Sequence, residues 1–368
     1  MNSRPEAAVT TTTPVRLGQI TLANRLALAP MTRRRADTDG QPTPRMAEYY
    51  AQRGSFGLVI VEGTYPSVEG RAYPFQPGVL DHHTAGWVPV TEAVHRQGAK
   101  IVLQLMHAGR VTHPDTTGVP TVLAPSAVDP QAGHAHNAKP NRLPQAATTA
   151  DIDQLIDDHA TAAKRAIEAG FDGVELHSAN GYLLQQFLAP NTNQRTDRYG
   201  GSPANRARFV IEVVEAVSAA IGADRVGIRL SPGANIQGIE ENDPEDLLAT
   251  YTALARAVQP LGLAYVSVIH PDICGALVQR LRRAFGAPLV ANTGFVAVTD
   301  HEEARHIIES GAADVVAVGR AAIANPDLPA RWQTGAEEAL PDQATFYSGG
   351  DRGYIDYPPL SGSVVQRS

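Results

Sequence analysis

Residues 173–188, GVELHSANGYLLQQFL, carry three polar side chains of different chemistry directly behind a short apolar run. His177 ends the run, Asn180 follows three residues later, and Tyr182 comes two residues after that. An imidazole and a carboxamide can both donate hydrogen bonds to an oxygen atom on which negative charge develops. A phenol, whose usual pKa is about 10, keeps its proton at neutral pH and can donate it during a reaction. The trio predicts either a catalytic cluster or an ordinary hydrogen-bond network at the end of a strand.

The elements that must position this trio are eight short β-rich runs, several of them followed by an amphipathic helical pattern. The runs are residues 25–30, 57–64, 100–106, 173–179, 226–232, 264–270, 287–294 and 313–320. Several are almost wholly apolar, as is typical of parallel strands that are covered on both faces. Eight strand–helix units predict an α/β fold of the (β/α)8 TIM barrel type. A doubly wound open sheet is the alternative, although no G-x-G-x-x-G turn follows any of the runs.

The 368 residues exceed the usual barrel length of about 250, and the surplus has two evident locations. Residues 15–25 predict an N-terminal β-hairpin that closes the N-terminal end of the barrel. Residues 107–150 form a long insertion after the third strand, which we expect to be an active-site lid. We further expect a disordered tail over residues 1–14, one barrel domain over residues 15–360 and a C-terminal tail over residues 361–368.

The composition limits the partners and the compartment. There are 31 basic and 38 acidic residues, a net charge of −7, which argues against nucleic acid or an anionic membrane surface as a partner. Cys274 is the only cysteine, which excludes disulfide bonds within the chain and cysteine-ligated clusters. No signal peptide and no run of about eighteen apolar residues occurs, so we expect a cytoplasmic protein.

Three common barrel chemistries do not fit the predicted strand ends. A Schiff-base mechanism needs a lysine at the barrel mouth, and all three lysines lie elsewhere. No pair of carboxylic acids marks the strand ends, as a glycosidase would require. His107, His177 and His270 lack aspartate partners, so no metal site is predicted.

The last two strands end in glycine-containing turns that are typical of phosphate binding. In barrels of this type, the loops after strands seven and eight often bind a phosphate group through backbone N–H groups. Gly294 and Gly319 lie at these two ends, and Arg320 adds a guanidinium group that suits phosphate oxygens. The two ends together predict a phosphorylated cofactor.

Gln104 and Arg229, at the ends of the third and fifth strands, would then meet the other end of that cofactor. A glutamine amide matches the C=O and N–H groups of a flavin pyrimidine ring. An arginine near that ring would stabilise the negative charge that it gains on reduction. For Arg229 the alternative is an internal salt bridge to a nearby glutamate.

Several motifs together resemble the Old Yellow Enzyme family of flavin-dependent ene-reductases, from about residue 15 to residue 360. They are NRLALAPMTRRRA (24–36), VIVEGT (59–64), QLMHAGR (104–110), ELHSANGYLLQQFLAPNTNQRTDRYGGS (175–202), RLSP (229–232), NTGF (292–295), VGR (318–320) and FYSGGDRGYIDYP (346–358). The fourth of these motifs is the most specific.

The resemblance implies a role for each matching residue. His177 and Asn180 would bind a carbonyl or nitro oxygen of the substrate. Tyr182 would donate a proton to the α carbon of the substrate. Residues implied to bind FMN are Pro30, Met31, Thr32, Gly63, Gln104, Arg229, Gly294, Phe295, Gly319, Arg320 and Phe346. Residues implied to line the substrate pocket are Tyr73, Met106 and Tyr347. The segment IHPDICG (269–275) departs from the family pattern, so His270 either lines the pocket as well or only ends its strand. Many relatives carry tryptophan at the position of Met106 and alanine at that of Gly63, which predicts either a roomier or more flexible pocket or lost packing that neighbouring side chains offset.

The activity that the resemblance implies is reduction of activated alkenes such as enones, enals, maleimides or nitroalkenes. NADPH or NADH would reduce FMN, and the alkene would then take a hydride from flavin N5 in the same site. The family also implies a monomer or a homodimer. One alternative is a flavin-binding or phenol-binding sensor without significant turnover, and another is a flavin-free phosphate-binding isomerase.

Overall fold

The computed structural model describes residues 8–130, 135, 137–294 and 296–360, and a closed barrel of eight parallel strands lies at its centre. The barrel strands are β1 (Leu26–Leu28), β2 (Leu58–Thr64), β3 (Lys100–Leu105), β4 (Gly173–Ser178), β5 (Val226–Leu230), β6 (Tyr265–Ile269), β7 (Leu289–Asn292) and β8 (Val315–Val318). They follow chain order around the barrel, and β8 pairs with β1 to close it. Each strand lies inside one of the eight runs. The TIM barrel prediction is therefore confirmed, and the open sheet is excluded.

Alternation along the strands divides the core into an inner and an outer part, because successive side chains of a strand point to opposite faces. On β2, Leu58 and Ile60 pack in an inner cluster, whereas Val59 and Val61 pack in a second cluster with the surrounding helices. Both sets are fully buried. This explains why the runs are apolar without interruption.

Helices follow most of the strands and form the outer layer. They are α1 (Pro44–Ala51), α2 (Thr84–Arg96), α3 (Pro114–Thr117), α4 (Thr149–Glu168), α5 (Leu183–Leu188), α6 (Pro203–Ile221), α7 (Pro244–Val258), α8 (Ala276–Phe285), α9 (His301–Glu309), α10 (Ala321–Ala324) and α11 (Leu328–Thr334). Short 3-10 turns span Val68–Gly70, Asp81–His83, Gly109–Val111, Ala223–Arg225, Gln259–Leu261 and Gln343–Thr345. Within the described residues, no helix is both long and apolar enough to cross a membrane.

The predicted hairpin is confirmed by an antiparallel pair of strands, Val15–Leu17 and Ile20–Leu22. Gly18 forms the turn with a φ of 56°, and a Cβ atom there would lie 2.2 Å from the carbonyl oxygen of Asp224. The hairpin therefore packs against the chain that enters β5, and its apolar side chains join the inner cluster. It covers the N-terminal end of the barrel and leaves the other end open.

The predicted disordered tail over residues 1–14 is too long at its C-terminal end. The backbone N–H of Arg25 donates to the carbonyl oxygen of Thr11 at 2.8 Å, and the Arg25 Nε donates to Thr13 Oγ1 at 2.9 Å. Thr11 is itself buried. These bonds tie residues 11–13 to the start of β1, because Arg25 donates from both its backbone N–H and its guanidinium. Residues 1–7 and the C-terminal residues 361–368 lie outside the described residues.

Four buried histidines predict a loss of stability in mild acid. Burial lowers the pKa of His83 to about 4 and that of His107 to about 3, and it also lowers the pKa values of His159 and His177. In the unfolded chain these rings take up protons near pH 6.5, so the unfolded state binds more protons as the pH falls below that value. Each ring then lowers the free energy of unfolding by up to about 1.4 kcal/mol per pH unit. Urea midpoints should fall steeply between pH 7 and pH 5.

A matched pair of variants checks the cause of this pH dependence. His107→Gln should flatten the dependence of the urea midpoint on pH, because one buried proton acceptor is removed. His306→Gln changes an exposed histidine on α9 and should leave the slope unchanged. A midpoint that stays level or rises as the pH falls would contradict the explanation.

Candidate active site

A cavity of about 570 Å³ lies at the open end of the barrel, where the carboxyl ends of the strands meet. The predicted site residues that line it are Pro30, Met31, Thr32, Gly63, Tyr73, Gln104, Met106, His177, Asn180, Tyr182, Arg229, Gly294, Gly319, Arg320, Phe346 and Tyr347. Residues that follow most of the strands thus meet the C-terminal segment in one place. Other lining residues, which the sequence patterns did not predict, are Arg33, Arg34, Ile236, Gln237, Asn292, Ala297, Val298, Thr299 and Ile323.

Two predicted site residues are not among the lining residues. His270 follows β6, but its ring nitrogen Nδ1 accepts a hydrogen bond from the backbone N–H of Asp272 at 3.0 Å. The His270 ring therefore stabilises the loop that follows β6. The prediction that His270 lines the pocket is wrong. Phe295 lies outside the described residues.

His177 is buried at the end of β4 and Asn180 is half-buried just after it, and each has a buried side-chain atom that no described protein group satisfies. His177 is 4% exposed, and its Nδ1 atom has no hydrogen-bond partner among the described residues. The same holds for the side-chain oxygen of Asn180. An unsatisfied buried polar group costs roughly 1–3 kcal/mol, so such atoms are typical of sites that bind a ligand.

The backbone around Asn180 is held in an uncommon conformation by side chains from another segment. Asn180 has a φ of 57°, in the left-handed region that asparagine tolerates better than most residues. Its N–H donates to Ser231 Oγ at 2.9 Å, and its carbonyl oxygen accepts from the side chain of Gln237 at 2.6 Å. Ser231 and Gln237 both lie in the loop after β5. The loop after β5 therefore holds the backbone of Asn180 in this conformation.

Two buried glutamines on α5 complete the support of this turn. The Gly181 N–H donates to Gln185 Oε1 at 2.8 Å, and Gln186 Nε2 donates to the Gly181 carbonyl oxygen at 2.7 Å. The adjacent amides QQ in the sequence were the only available signal for this role. They fix the turn between His177 and Tyr182.

The charges around His177 keep its ring neutral. Burial lowers the pKa of His177 well below its usual value, and the positive charge of Arg229, its neighbour on β5, lowers it further. Glu175 lies close to Arg229, which opposes the rise that burial causes in the pKa of Glu175. The side chain of Gln104 donates to Glu175 Oε1 at 2.7 Å. His177 is thus a neutral hydrogen-bonding group beside a buried cation.

Both predicted alternatives for Arg229, a place in the cofactor cavity and an electrostatic interaction with a nearby glutamate, apply. Its guanidinium lines the cavity and donates to Ser267 Oγ at 3.5 Å, while Glu175 acts on it electrostatically. A buried charge without compensation is very costly, so Glu175 is what allows an arginine at this depth.

Tyr182 stands beside the His177–Asn180 pair. Its ring centroid is 5.1 Å from that of His177, and its hydroxyl lies 2.5 Å from the hydroxyl of Tyr73. Burial raises the pKa of Tyr182 above its usual value, and the hydrogen bond with Tyr73 offsets part of that rise. Tyr182 therefore carries its proton at neutral pH.

The side chain of Met106 occupies the space beside Gly63, as the alternative of compensation by neighbouring side chains predicts. A Cβ atom on Gly63 would lie 2.5 Å from Met106 Sδ. The space that glycine leaves is therefore filled by the flexible methionine side chain. The two departures from the family pattern compensate locally.

The insertion over residues 107–150 supports the cavity wall from behind, and the lid prediction is wrong for its described part. None of its described residues lines the cavity, whereas Ala108 and Val111 pack in a cluster with Tyr182. Arg110 donates to the carbonyl oxygen of Gly238 at 2.8 Å. The insertion therefore links the Tyr182 segment to the loop after β5. Residues 131–134 and 136 lie outside the described residues.

Two arginines hold the C-terminal segment over the barrel mouth. Arg33 donates through Nε to the carbonyl oxygen of Phe346 at 3.0 Å and through Nη2 to that of Gly353 at 2.8 Å. Arg35 donates to the carbonyl oxygens of Thr345 and Phe346 at 2.8 and 3.0 Å. These bonds place Phe346 at the cavity. Both arginines belong to the motif NRLALAPMTRRRA, in which the sequence alone indicates no role for them.

The lining carries four arginines and, among the described residues, no aspartate or glutamate. Arg229 is at the end of β5, Arg320 follows β8, and Arg33 and Arg34 follow β1. Gly294, with a φ of 101°, supplies the turn after β7 that a side chain would strain. Such a cavity fits an anionic cofactor with a phosphate group near β7 and β8 and an electron-accepting ring near Arg229. No group of three or more potential metal-ligating side chains occurs in the described part of the chain.

A closed barrel with an acid-free, arginine-rich mouth and a neutral His–Asn pair beside a tyrosine defines a flavin-dependent oxidoreductase of the TIM barrel class. The NADH:flavin oxidoreductase / NADH oxidase family model matches residues 12–339. The chain belongs to this family, and the resemblance to the Old Yellow Enzymes is confirmed.

Individual relatives match over nearly the whole chain. The chain is 40% identical to 12-oxophytodienoate reductase 1 of Oryza sativa subsp. japonica, over 96% of this chain and 94% of the relative. It is 40% identical to a probable flavin mononucleotide-dependent alkene reductase of Leishmania infantum, over 94% and 96% of the two chains. The solved structure of the Old Yellow Enzyme homologue from Zymomonas mobilis matches with a TM-score of 0.88 and 39% identity, covering 95% of this chain and 99% of that one.

Proposed function

We propose that the protein is an FMN-dependent ene-reductase that uses NADPH or NADH to reduce the C=C bond of activated alkenes. The observation that carries this proposal is the buried, neutral His177 with an unsatisfied ring nitrogen, which lines the cavity together with Asn180 and the protonated Tyr182. Two neutral donors that bind one substrate oxygen polarise a conjugated alkene. Membership of a family of NADH:flavin oxidoreductases supports the redox chemistry.

His177 and Asn180 bind the carbonyl or nitro oxygen of the substrate and stabilise the negative charge that develops there. Because the His177 ring is neutral, it donates from one nitrogen only, and the tautomer with a proton on the cavity side is required. Ser231 and Gln237 keep the Asn180 turn from relaxing. The polarised double bond then becomes electron-poor at its β carbon.

Tyr182 holds a proton at its phenolic oxygen until the α carbon of the substrate gains electron density. The hydroxyl of Tyr73 hydrogen-bonds to that oxygen and lowers the cost of the charge left on it. Tyr73, Met106 and Tyr347 form the rest of the substrate-facing wall.

FMN bound in this cavity would supply the hydride from its N5 atom. Gln104 and Arg229 would bind its pyrimidine ring, Gly294, Gly319 and Arg320 would bind its phosphate, and Pro30, Met31, Thr32, Gly63 and Phe346 would line the ring system. Arg229 is suited to this role because its charge is buried and partly balanced by Glu175.

The test of the proposal is spectroscopic. Purified protein should be yellow, should lose its flavin absorbance on anaerobic addition of NADPH, and should regain it on addition of cyclohexenone with one cyclohexanone formed per flavin. A colourless protein that does not take up added FMN would refute it. A flavin that NADPH bleaches but no activated alkene restores would favour the sensor alternative.

Arg229→Ala should weaken FMN retention or slow flavin reduction by NADPH. Removing the guanidinium takes away the positive charge near the ring and leaves Glu175 buried without its partner. Glu175→Gln/Arg229→Ala is the matched control, because it also removes the orphaned charge and should recover stability without recovering FMN binding. FMN content and reduction rate measured by stopped flow decide the prediction, and unchanged values for Arg229→Ala would contradict it.

We also propose where the reaction takes place and which partners take part in it. Residues 15–360 act as one FMN-binding domain, the partner is a small activated alkene, and the protein is a cytoplasmic monomer or homodimer that binds neither nucleic acid nor membrane. The net charge of −7 and the apolar, arginine-bearing cavity support a small-molecule partner.

A further inference from the structure

Strained backbone marks a second place at the open end of the barrel. Five non-glycine residues of the described chain have a positive φ: Arg34, Phe75, Ala138, Asn180 and Gln237. Asn180 and Gln237 line the cavity, Arg34 lines both the cavity and a neighbouring pocket, and Phe75 lines that pocket. Strained residues persist where the surrounding structure enforces them, and they cluster at functional sites. The strained residues therefore indicate that the pocket beside Arg34 is also a functional site.

This pocket, of about 800 Å³, continues the cavity through Arg34 and Tyr347 and presents two aromatic rings to solvent. Phe75 is 43% exposed and Tyr347 is 55% exposed. Exposure of the Phe75 ring is unfavourable, and its backbone is also left-handed, with a φ of 60°. Exposed aromatic faces are the groups on which planar rings such as nucleobases stack.

The charges around the pocket favour an anion close to these rings. Arg45, on the first turn of α1, lies 3.3 Å from Asp351. Arg34 donates through Nε to the carbonyl oxygen of Pro74 at 3.0 Å. Glu48 and Asp351 are the acidic residues of the lining, against Arg34, Arg35 and Arg45. The α1 terminus adds partial positive charge to this balance.

We propose that this pocket binds the adenosine phosphate end of the nicotinamide dinucleotide, with the purine stacked on Phe75 or Tyr347 and phosphates on Arg34 and Arg45. The inference rests on the proposed function, in which the nicotinamide ring enters the cavity. The chain has no G-x-G-x-x-G turn after a strand, so its phosphate-binding groups for a dinucleotide must come from elsewhere. The pocket offers them within the same opening that admits the nicotinamide.

A comparison of two hydride donors tests whether this pocket affects the binding of the dinucleotide and not the hydride transfer itself. In anaerobic stopped flow with the FMN-loaded protein, Phe75→Ala and Arg45→Ala should each raise the apparent Kd for NADPH by roughly tenfold and leave the limiting rate within about twofold. Both variants should be reduced by 1-benzyl-1,4-dihydronicotinamide, which lacks phosphate and purine, as fast as the unaltered protein. Reoxidation by cyclohexenone should also be unchanged.

Calorimetry supplies a readout that does not depend on turnover. Adenosine 2′,5′-bisphosphate titrated into the FMN-loaded protein should bind, and Phe75→Ala and Arg45→Ala should weaken it by roughly the same factor as NADPH. Arg280→Ala, which changes an exposed arginine on α8, is the matched control and should alter neither value. Phe75→Leu should behave as Phe75→Ala, because stacking needs the aromatic ring.

The outcomes are distinguishable. An unchanged Kd for NADPH in both variants, or an equal loss with the phosphate-free donor, would overturn the pocket assignment while leaving the ene-reductase proposal intact. Failure of both hydride donors to reduce the unaltered protein would instead refute the proposed function.

Discussion

His177→Ala is expected to lower the rate of alkene reduction by roughly a hundred- to a thousandfold, about 2.7–4 kcal/mol of transition-state stabilisation. The ring is buried and neutral and has an unsatisfied nitrogen, so its loss removes a preorganised donor that water replaces poorly. Asn180→Ala should cause a loss of the same order. The measurement is the stopped-flow rate of flavin reoxidation by cyclohexenone after full reduction.

The control for this prediction is reduction of the flavin by dithionite followed by its reoxidation with molecular oxygen. This reaction does not need His177 and Asn180 to bind a substrate carbonyl. That reaction should be unaffected in both variants. His177→Asn, which retains a neutral donor, should recover part of the rate. If both alanine variants reduce cyclohexenone at a rate close to that of the unaltered protein, the pair is not the oxyanion-binding group.

Tyr182→Phe is expected to slow alkene reduction by roughly a hundredfold or more while flavin reduction by NADPH proceeds normally. The variant removes one hydroxyl from a packed ring, so the cavity shape is preserved. Tyr73 would then face an apolar ring edge in place of a phenolic oxygen. The two half-reactions measured separately by stopped flow show whether the loss is confined to the step that needs a proton.

Tyr73→Phe is the matched variant, because it removes the neighbouring hydroxyl and leaves that of Tyr182. It should cost much less, roughly tenfold, as expected for one hydrogen bond to a developing charge. Equal losses in both half-reactions of Tyr182→Phe would show that Tyr182 shapes the cavity and is not the proton donor.

The sequence was sufficient for the parts of the site that are fixed by strand order. Apolar runs of strand length located all eight barrel strands, and strand ends meet at one edge of a parallel barrel. Strand order alone therefore brings His177, Gln104 and Arg229 together. Tyr73 and Phe346, in contrast, came only from the family resemblance, because neither lies at a strand end.

The remaining features depend on contacts between distant segments, which local patterns do not encode. The bonds of Arg33 and Arg35 to the C-terminal segment join residues more than 300 positions apart. The filling of the Gly63 space by Met106 is likewise a packing relation between two strand ends. His270 was misplaced because a strand-end position does not determine whether a ring points inward or closes its own loop.

The most direct measurement of the central claim is a crystal structure of the FMN-loaded protein with a para-substituted phenol bound. We expect a flavin ring across the barrel mouth, its phosphate at Gly294, Gly319 and Arg320, and the phenolic oxygen within hydrogen-bond distance of both His177 and Asn180. A flavin bound elsewhere, or a phenol whose oxygen contacts neither side chain, would contradict it.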